Sequence, residues 1–255
     1  HTASKPPESE YKAIRDSVEV ARATGCRIFV VHMSSAKGAE IVGAARAEGV
    51  DIIAETCTHY LVFTDAMLER KDGLKWICSP PIRDQQNQDR LWAALRDGRV
   101  AMVTSDDAAY SWEAKLYGLN RFDRVPNGLA GVEPRLNLMY SEGVVKGRIS
   151  LPRFVELVAT TPALLFGLYP RKGSLLPGAD ADIVLFDPYA RWIMGQETLH
   201  MATEYSAYEG IEITGKIQHV YSRGELIVDS GRCLAQKGRG RYLYRKLDPS
   251  VRASV

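Results

Sequence analysis

The 255-residue sequence lacks the features of several large protein classes. No uninterrupted apolar stretch approaches the roughly 20 residues that a membrane-spanning helix needs, so we predict no membrane association. Neither sign of charge dominates, because 33 Lys and Arg residues stand against 31 Asp and Glu residues and give a formal net charge of +2. Such a balance provides no electrostatic footprint for nucleic acid, which we therefore exclude as a partner.

Cysteine is also scarce, and the four cysteines, Cys26, Cys57, Cys78 and Cys233, form no CxxC pair. Their spacing excludes zinc knuckles and dithiol redox motifs. Three of them lie in or beside apolar strand-like runs, which predicts small buried side chains in a reducing cytoplasm. The alternative, that Cys57 or Cys78 is a nucleophile, lacks a nearby base in a recognisable arrangement.

Several catalytic signatures are missing as well. The sequence contains no H-E-x-x-H, no P-loop and no G-x-G-x-x-G that opens a helix, so it gives no support for the corresponding metalloprotease, nucleotide or dinucleotide chemistry. G-x-S-x-G is absent, which disfavours a serine hydrolase. The sequence begins "HTASKPPESE", without an initiator Met or a signal peptide, and we expect it to be a portion of a longer protein.

What the sequence does contain is an alternation of helix and strand patterns over residues 9–106. Apolar positions at helical spacing predict helices, and short β-branched runs predict strands. The helices are predicted at 9–24, 36–49 and 88–98, and the strands at 27–32, 51–57, 74–79 and 100–105. Because these strands are continuously apolar, they are expected to form a parallel sheet covered by helices, in an α/β fold.

The pattern changes near residue 170. Helical spacing returns at 131–145 and 150–167, but short strands with Gly turns follow from residue 173 and predict an antiparallel β segment. We therefore expect two regions, 1–170 and 171–255. About four parallel strands are visible, whereas a closed (β/α) barrel takes eight, so an open doubly wound sheet and part of a barrel both remain possible.

Four polar side chains follow the predicted parallel strands, at the point where each strand ends: His32, His59, Ser79 and Asp106. The carboxyl ends of parallel strands form one face, which carries the active site in such folds. His and Asp from different strands suit a borderline cation such as zinc. For either histidine alone, a half-buried imidazole with its hydrogen bonds satisfied is the better explanation, whereas both together with Asp106 favour a metal site.

Longer motifs narrow the assignment. In chain order they are "VVHMSS", "AETCTHYL", "CSPPIRD", "TSDDAAY", "PNGLAGVEPRL", "SEGVVKGRIS", "KGSLLPGADADIVLFDP", "YEGIEITGKIQHVYSRGELIVDSGR" and "KGRGRYLYR". Together they resemble the D-hydantoinase/dihydropyrimidinase branch of the cyclic amidohydrolase family, and the resemblance covers essentially the whole chain. It implies an α/β fold consisting of the C-terminal half of a (β/α)8 TIM-type barrel of the amidohydrolase superfamily, with a small antiparallel β-sandwich segment.

The resemblance also implies an activity and its residues. His32 and His59 match the histidines that bind the more exposed of two metal ions, and Asp106 matches the aspartate that binds the buried ion and shuttles a proton. Ser79 and Asn127 match positions whose backbone groups hold the substrate. The implied substrate is a small cyclic amide or imide, such as a hydantoin or a dihydropyrimidine, which is hydrolysed to an N-carbamoyl amino acid.

Further expectations rest on the same resemblance. The cofactor would be two divalent ions, zinc first, with manganese or cobalt as alternatives, and the protein would be a cytoplasmic homotetramer. The family pattern also includes an upstream His-x-His pair and a bridging carboxylated lysine, which these 255 residues do not contain. We therefore expect this chain alone to bind the metal pair poorly and to lack turnover. Asp107 stands where the family often has His, and it is either a hydrogen-bond acceptor that supports the site or a solvated carboxylate. We expect the second, with the side chain directed away from Asp106.

Two alternative functions remain at this point. The first is a related ring-opening hydrolase, an allantoinase or a dihydroorotase, against which "PNGLAGVE" and "GRGRYLYR" favour the hydantoinase branch. The second is a non-catalytic dihydropyrimidinase-related assembly protein. Because such relatives typically lose metal ligands, the presence of His32, His59 and Asp106 counts against it.

Overall fold

The computed structural model describes residues 1–246, so the last nine positions of the predicted second region, 247–255, lie outside the described residues. The α-helices are α1 Pro7–Thr24, α2 Ala36–Ala47, α3 Thr58–Val62, α4 Gln85–Arg96, α5 Trp112–Leu116, α6 Arg135–Leu138, α7 Leu151–Val155 and α8 Thr161–Leu165. The strands are β1 Ile28–Val30, β2 Ile52–Cys57, β3 Met102–Thr104, β4 Ile183–Met194, β5 Ile211–Ser222, β6 Glu225–Asp229 and β7 Arg232–Cys233. None of these described helices combines the length and the apolarity needed to cross a bilayer.

Helix α1 shows how the local sequence determines an element. Pro7 occupies its first turn, where a missing N–H costs nothing, and Gly25 ends it in the left-handed conformation with φ of 68°. Ile14, Val18 and Ala21 repeat at helical spacing and are buried. This stripe packs α1 against the parallel sheet and α2, as expected for an amphipathic surface helix.

The parallel sheet has the order β1-β2-β3, with β2 in the centre. Ile28 pairs with Ile52 and Glu55 pairs with Met102, both in parallel register. Every residue of β2 is buried, including the polar Glu55 and Thr56, as expected for the central strand of a sheet covered on both faces. Because the three strands run in the same direction, the residues that follow them lie along one edge of the sheet.

The prediction of a strand at 74–79 is wrong. Residues Gly73–Trp76 instead form a 3₁₀ turn, in which Lys75 N–H donates to the Asp72 carbonyl (3.1 Å). A side chain at Gly73 would lie 2.4 Å from the Leu68 carbonyl oxygen, so this tight approach requires glycine. Pro80 and Pro81 then follow without the N–H groups that a ladder needs. The parallel sheet of the described residues consequently has three strands.

The second sheet is antiparallel with the order β4-β5-β6-β7, so the prediction of an antiparallel segment is confirmed. The helical patterns at 131–145 and 150–167 are confirmed as broken helices, because wider π-turns at Met139–Val145 and Glu156–Thr160 adjoin α6, α7 and α8. One apolar core joins both sheets. Met194, Tyr208 and Ile213 of the second region belong to it.

The burial of the cysteines was predicted only in part. Cys57 and Cys78 are buried and unpaired, as expected for small side chains in apolar runs. Cys26 and Cys233 are exposed. Cys26 lies in the connection between α1 and β1, outside the ladder, which is why its neighbouring apolar run does not bury it.

Candidate metal centre

Two of the sequence-predicted ligands occupy strained backbone positions at the carboxyl edge of the parallel sheet. His32 follows β1 with φ of 38°, and Asp106 follows β3 with φ of 45°. Residues with a Cβ atom rarely adopt this left-handed backbone conformation. Such strain costs on the order of 1–3 kcal/mol and clusters at functional sites. Two strained polar residues, each at the end of a strand that flanks the central β2, therefore mark this edge as the candidate site.

Three potential ligand atoms converge there. One atom each of Cys57, His59 and Asp106 lies within 4.8 Å of the other two. Cys57 is the last residue of β2, His59 lies in the first turn of α3, and Asp106 follows β3. The ends of the parallel strands thus place a sulfur, a nitrogen and an oxygen atom close enough for a single cation to contact all three.

The His59 imidazole is the most unusual member of this group. It is only 1% exposed, and neither ring nitrogen has a hydrogen-bond partner among the described residues. Burial, together with the nearby His32, lowers the pKa of His59 to about 3. The ring is therefore neutral near pH 7, which is the form that binds a metal. A buried polar group without a partner is costly, and a metal ion on one ring nitrogen would remove part of that cost, so the residues present fit a cation.

Cys57 is a weaker ligand than its position suggests. Burial raises the pKa of its thiol, so the thiolate that metals and electrophiles require is disfavoured. The Cys57 sulfur lies 3.5 Å from the Thr104 hydroxyl. We assign it to packing at the strand end. The same protonated state argues against the alternative that Cys57 is a nucleophile.

His32 lies beside this three-residue group rather than within it. It is half-buried, and its backbone N–H donates to Glu55 Oε1 at 3.4 Å. Glu55 is only 8% exposed. Burial raises the pKa of Glu55, while the hydrogen bond from His32 acts in the opposite direction. Sequence reasoning missed Glu55, although a carboxylate within the wholly buried run "IIAETC" was a signal that could have identified it.

The two predicted substrate-binding residues are brought together. Ser79 Oγ donates to Asn127 Oδ1 at 2.8 Å, although the residues are 48 positions apart. The Gly128 N–H donates to the Ile77 carbonyl at 2.9 Å, so the two segments are also joined through their backbones. Asn127 is exposed and Ser79 is half-buried, which leaves this edge accessible to a small molecule.

Asp107 is exposed, as expected for a solvated carboxylate, but its side chain also makes structural contacts. Its Oδ1 accepts hydrogen bonds from the backbone N–H groups of Gly131 (2.6 Å) and Val132 (3.0 Å). Asp107 also forms an isolated parallel bridge with Leu129. Its side chain therefore points away from the Asp106 group, as expected, but it anchors the segment that follows Asn127.

Comparison with known proteins places this geometry in a family. The sequence pattern of the amidohydrolase family matches residues 2–227, and the chain belongs to that family. The D-hydantoinase of Ralstonia pickettii is 43% identical over 249 residues, which are 96% of this chain and 54% of that protein. The D-hydantoinase of Geobacillus stearothermophilus is 38% identical over 248 residues, 96% of this chain and 53% of that protein.

Solved structures agree with these relatives. The crystal structure of the dihydropyrimidinase from Brevibacillus agri NCHU1002 superposes with a TM-score of 0.94 at 38% identity, and the match covers 96% of this chain and 54% of that one. The chain thus spans about half the length of the relatives it matches. The predicted fold, part of a TIM-type amidohydrolase barrel with an antiparallel β-sandwich segment, is confirmed, and the open doubly wound alternative is set aside.

Proposed function

We propose that this chain is the C-terminal half of a cyclic amidohydrolase that opens hydantoins or dihydropyrimidines to N-carbamoyl amino acids. The observation that carries the proposal is the convergence of His59 and Asp106 within 4.8 Å at the carboxyl edge of the sheet. Relatives with 38–43% identity are named D-hydantoinase, which supports this substrate class over allantoin or dihydroorotate.

The proposed metal ligands are His32, His59 and Asp106, with the remaining ligands supplied from the other half of the barrel. Imidazole and carboxylate ligands suit zinc, and also manganese or cobalt. A pair of such ions would lower the pKa of a water molecule towards neutrality and polarise the carbonyl group of the substrate. The neutral His59 ring is suited to this role because it need not lose a proton before binding.

Asp106 is the proposed acid–base catalyst. Its carboxylate would accept the proton of the attacking water and deliver it to the ring nitrogen that leaves, acting first as base and then as acid. It lies at the strand end with positive φ, which holds the carboxylate above the sheet edge. The two roles need only one side chain because the proton is moved within the same site.

Ser79 and Asn127 are the proposed substrate contacts. The C=O and N–H groups of a cyclic imide alternate along its edge, and a peptide unit offers the complementary donor and acceptor. The hydrogen bond between the two side chains keeps their backbone segments adjacent. The segments would therefore hold the ring edge while Asp106 acts on the scissile amide.

The organisation of the whole protein is also part of the proposal. We infer a barrel portion over residues 1–170 and a β-sandwich portion over 171–255, in a cytoplasmic homotetramer. The change from a parallel to an antiparallel sheet between β3 and β4 supports the boundary. Small cyclic amides would be its only partners besides the metal ions and its own copies.

The test is a side-by-side assay of the full-length protein on hydantoin, dihydrouracil, allantoin and dihydroorotate. We expect hydrolysis of the first two and at least tenfold lower kcat/KM on the others. Preferred hydrolysis of allantoin or dihydroorotate would move the protein to a sister branch. No hydrolysis of any of the four, in protein shown to contain metal, would support the non-catalytic alternative instead.

A further inference from the structure

Lys115 is a buried cation that none of the proposed catalytic steps uses. It is 0% exposed, although lysine is almost never fully buried without a partner. No carboxylate among residues 1–246 forms an ion pair with it. Burial lowers the pKa of Lys115 to about 8, so the side chain is still an ammonium at pH 7. Some other group must therefore compensate the buried charge.

Three backbone carbonyls provide that compensation. Lys115 Nζ donates to the carbonyls of Pro126 (2.7 Å), Gly128 (2.7 Å) and Ile77 (3.4 Å). An ammonium has three hydrogens, so its donors are all used. The Tyr110 ring covers the charge, with its centroid 5.6 Å from Nζ. The ammonium thus joins the segment around Asn127 to the segment that leads to Ser79.

The geometry of these bonds orients the backbone of Asn127. In a trans peptide the C=O and the following N–H point in opposite directions, and the peptides on either side of Asn127 are trans. Because the Pro126 carbonyl points to Lys115, the Asn127 N–H points away from it. Because the Gly128 N–H points to the Ile77 carbonyl, the Asn127 carbonyl also points away.

Both backbone groups of Asn127 are therefore directed to the side opposite Lys115. Neither has a hydrogen-bond partner within the part of the chain that the structure describes. A free donor and a free acceptor, fixed side by side, match the edge of a cyclic imide. The fixation matters because a loop that must be ordered on binding weakens the affinity for the ligand.

We propose that Lys115 is a positioning residue for substrate binding, which holds the Asn127 backbone ready to receive the imide edge of the ring. This inference rests on the proposed function for the identity of the ligand. It assigns Lys115 to affinity rather than to the chemical step, because the ammonium touches neither the metal group nor the proposed path of the proton.

The test uses Lys115→Met in the full-length protein, with Lys172→Met as the matched control. Lys172 is a mostly buried lysine as well, but it pairs with Asp180 and Asp182 in the segment before β4. We expect Lys115→Met to raise KM for dihydrouracil at least tenfold, equivalent to about 1.4 kcal/mol, while kcat changes less than threefold. Metal content and the Ki of acetohydroxamate, a probe directed at the metals, should stay within twofold of wild type. Lys172→Met should leave all of these values unchanged.

Hydrogen exchange separates this inference from the proposed function. The Gly128 amide should exchange at least tenfold faster in Lys115→Met than in wild type or Lys172→Met, whether or not the protein is active. Unchanged exchange, or faster exchange with an unchanged KM, overturns the inference. If the wild type hydrolyses no cyclic amide, the proposed function fails and the exchange rate alone decides whether Lys115 fixes the segment. Should Lys115→Met not fold, Lys115→Gln, which keeps two donors without the charge, is measured in the same way.

Discussion

Glu10 of α1 lies beneath the turn that follows His32, and its replacement gives a sharp test of how that turn is held. Its Oε1 accepts hydrogen bonds from the backbone N–H groups of Ser34 (3.1 Å) and Ser35 (3.2 Å) and from the Ser35 hydroxyl (2.9 Å). Its Oε2 accepts from the Ser34 hydroxyl and lies 3.5 Å from the Arg83 guanidinium. The side chains of Glu10 and Arg83 are 11% and 6% exposed, so water screens this charge pair little.

Glu10→Gln should therefore destabilise the protein strongly. The change removes the charge opposite Arg83 and places an amide NH₂ where one oxygen now faces donors. Breaking a buried ion pair by removing one partner costs about 3–5 kcal/mol. Because the remaining amide oxygen can still accept from the serine N–H groups, we expect a loss of about 3 kcal/mol in the free energy of unfolding. Glu8→Gln is the control, since Glu8 lies in the same helical turn but is exposed.

Urea-induced unfolding of the full-length variants, followed by circular dichroism, measures this difference. Glu8→Gln should change the free energy of unfolding by less than about 0.5 kcal/mol, as surface changes usually do. Metal content should fall in Glu10→Gln, because the turn it anchors directly follows His32. A loss below about 1 kcal/mol, or equal losses in both variants, would refute the reasoning that the buried carboxylate holds this turn.

Three further predictions concern the site and the chain as a whole. Asp106→Asn should lower kcat on dihydrouracil by about 10²–10⁴-fold, as measured by steady-state kinetics, and a fall below tenfold would remove Asp106 from the proton path. Asp107→Ala should lower the free energy of unfolding by about 1–3 kcal/mol, because it leaves the Gly131 and Val132 N–H groups without their acceptor; unchanged urea unfolding would contradict this anchoring role. The 255-residue chain expressed alone should retain fewer than two metal ions per molecule by elemental analysis and show no turnover, and two tightly bound ions with hydrolysis would contradict the incomplete centre.

Much of the fold could be predicted from local patterns. Helix α1 was predicted within two residues of its observed limits, because the spacing of its apolar residues and the terminal Gly25 are local signals. Strand β2 was predicted for a similar reason, since the apolar residues Ile52, Ile53 and Ala54 open its run. The error at 74–79 also has a local cause, because an apolar run alone does not distinguish a strand from the 3₁₀ turn that Gly73 permits.

The supports of the site could not be predicted in the same way. Lys115 reaches the Ile77 carbonyl across 38 positions, and Glu10 reaches Ser34 across 24. Contacts between residues so far apart along the chain leave no repeating pattern that a single sequence could reveal. Both are charged residues in helices, where such side chains are usually exposed to solvent. Only the folded arrangement shows that these charges are buried and used.

The backbone conformation of Asp106 directs the carboxylates of the adjacent Asp106 and Asp107 to different surroundings. The left-handed φ of 45° at Asp106 interrupts the extended conformation after β3 and turns the chain between the two side chains. Asp106 is thereby left beside His59, where a cation can balance its charge. Asp107 is directed to the two N–H groups of the segment after Asn127, which satisfy it without a cation. The pair is tolerated because each carboxylate has a different partner, so replacing Asp106 should affect the chemical step, while replacing Asp107 should affect the segment that holds the substrate.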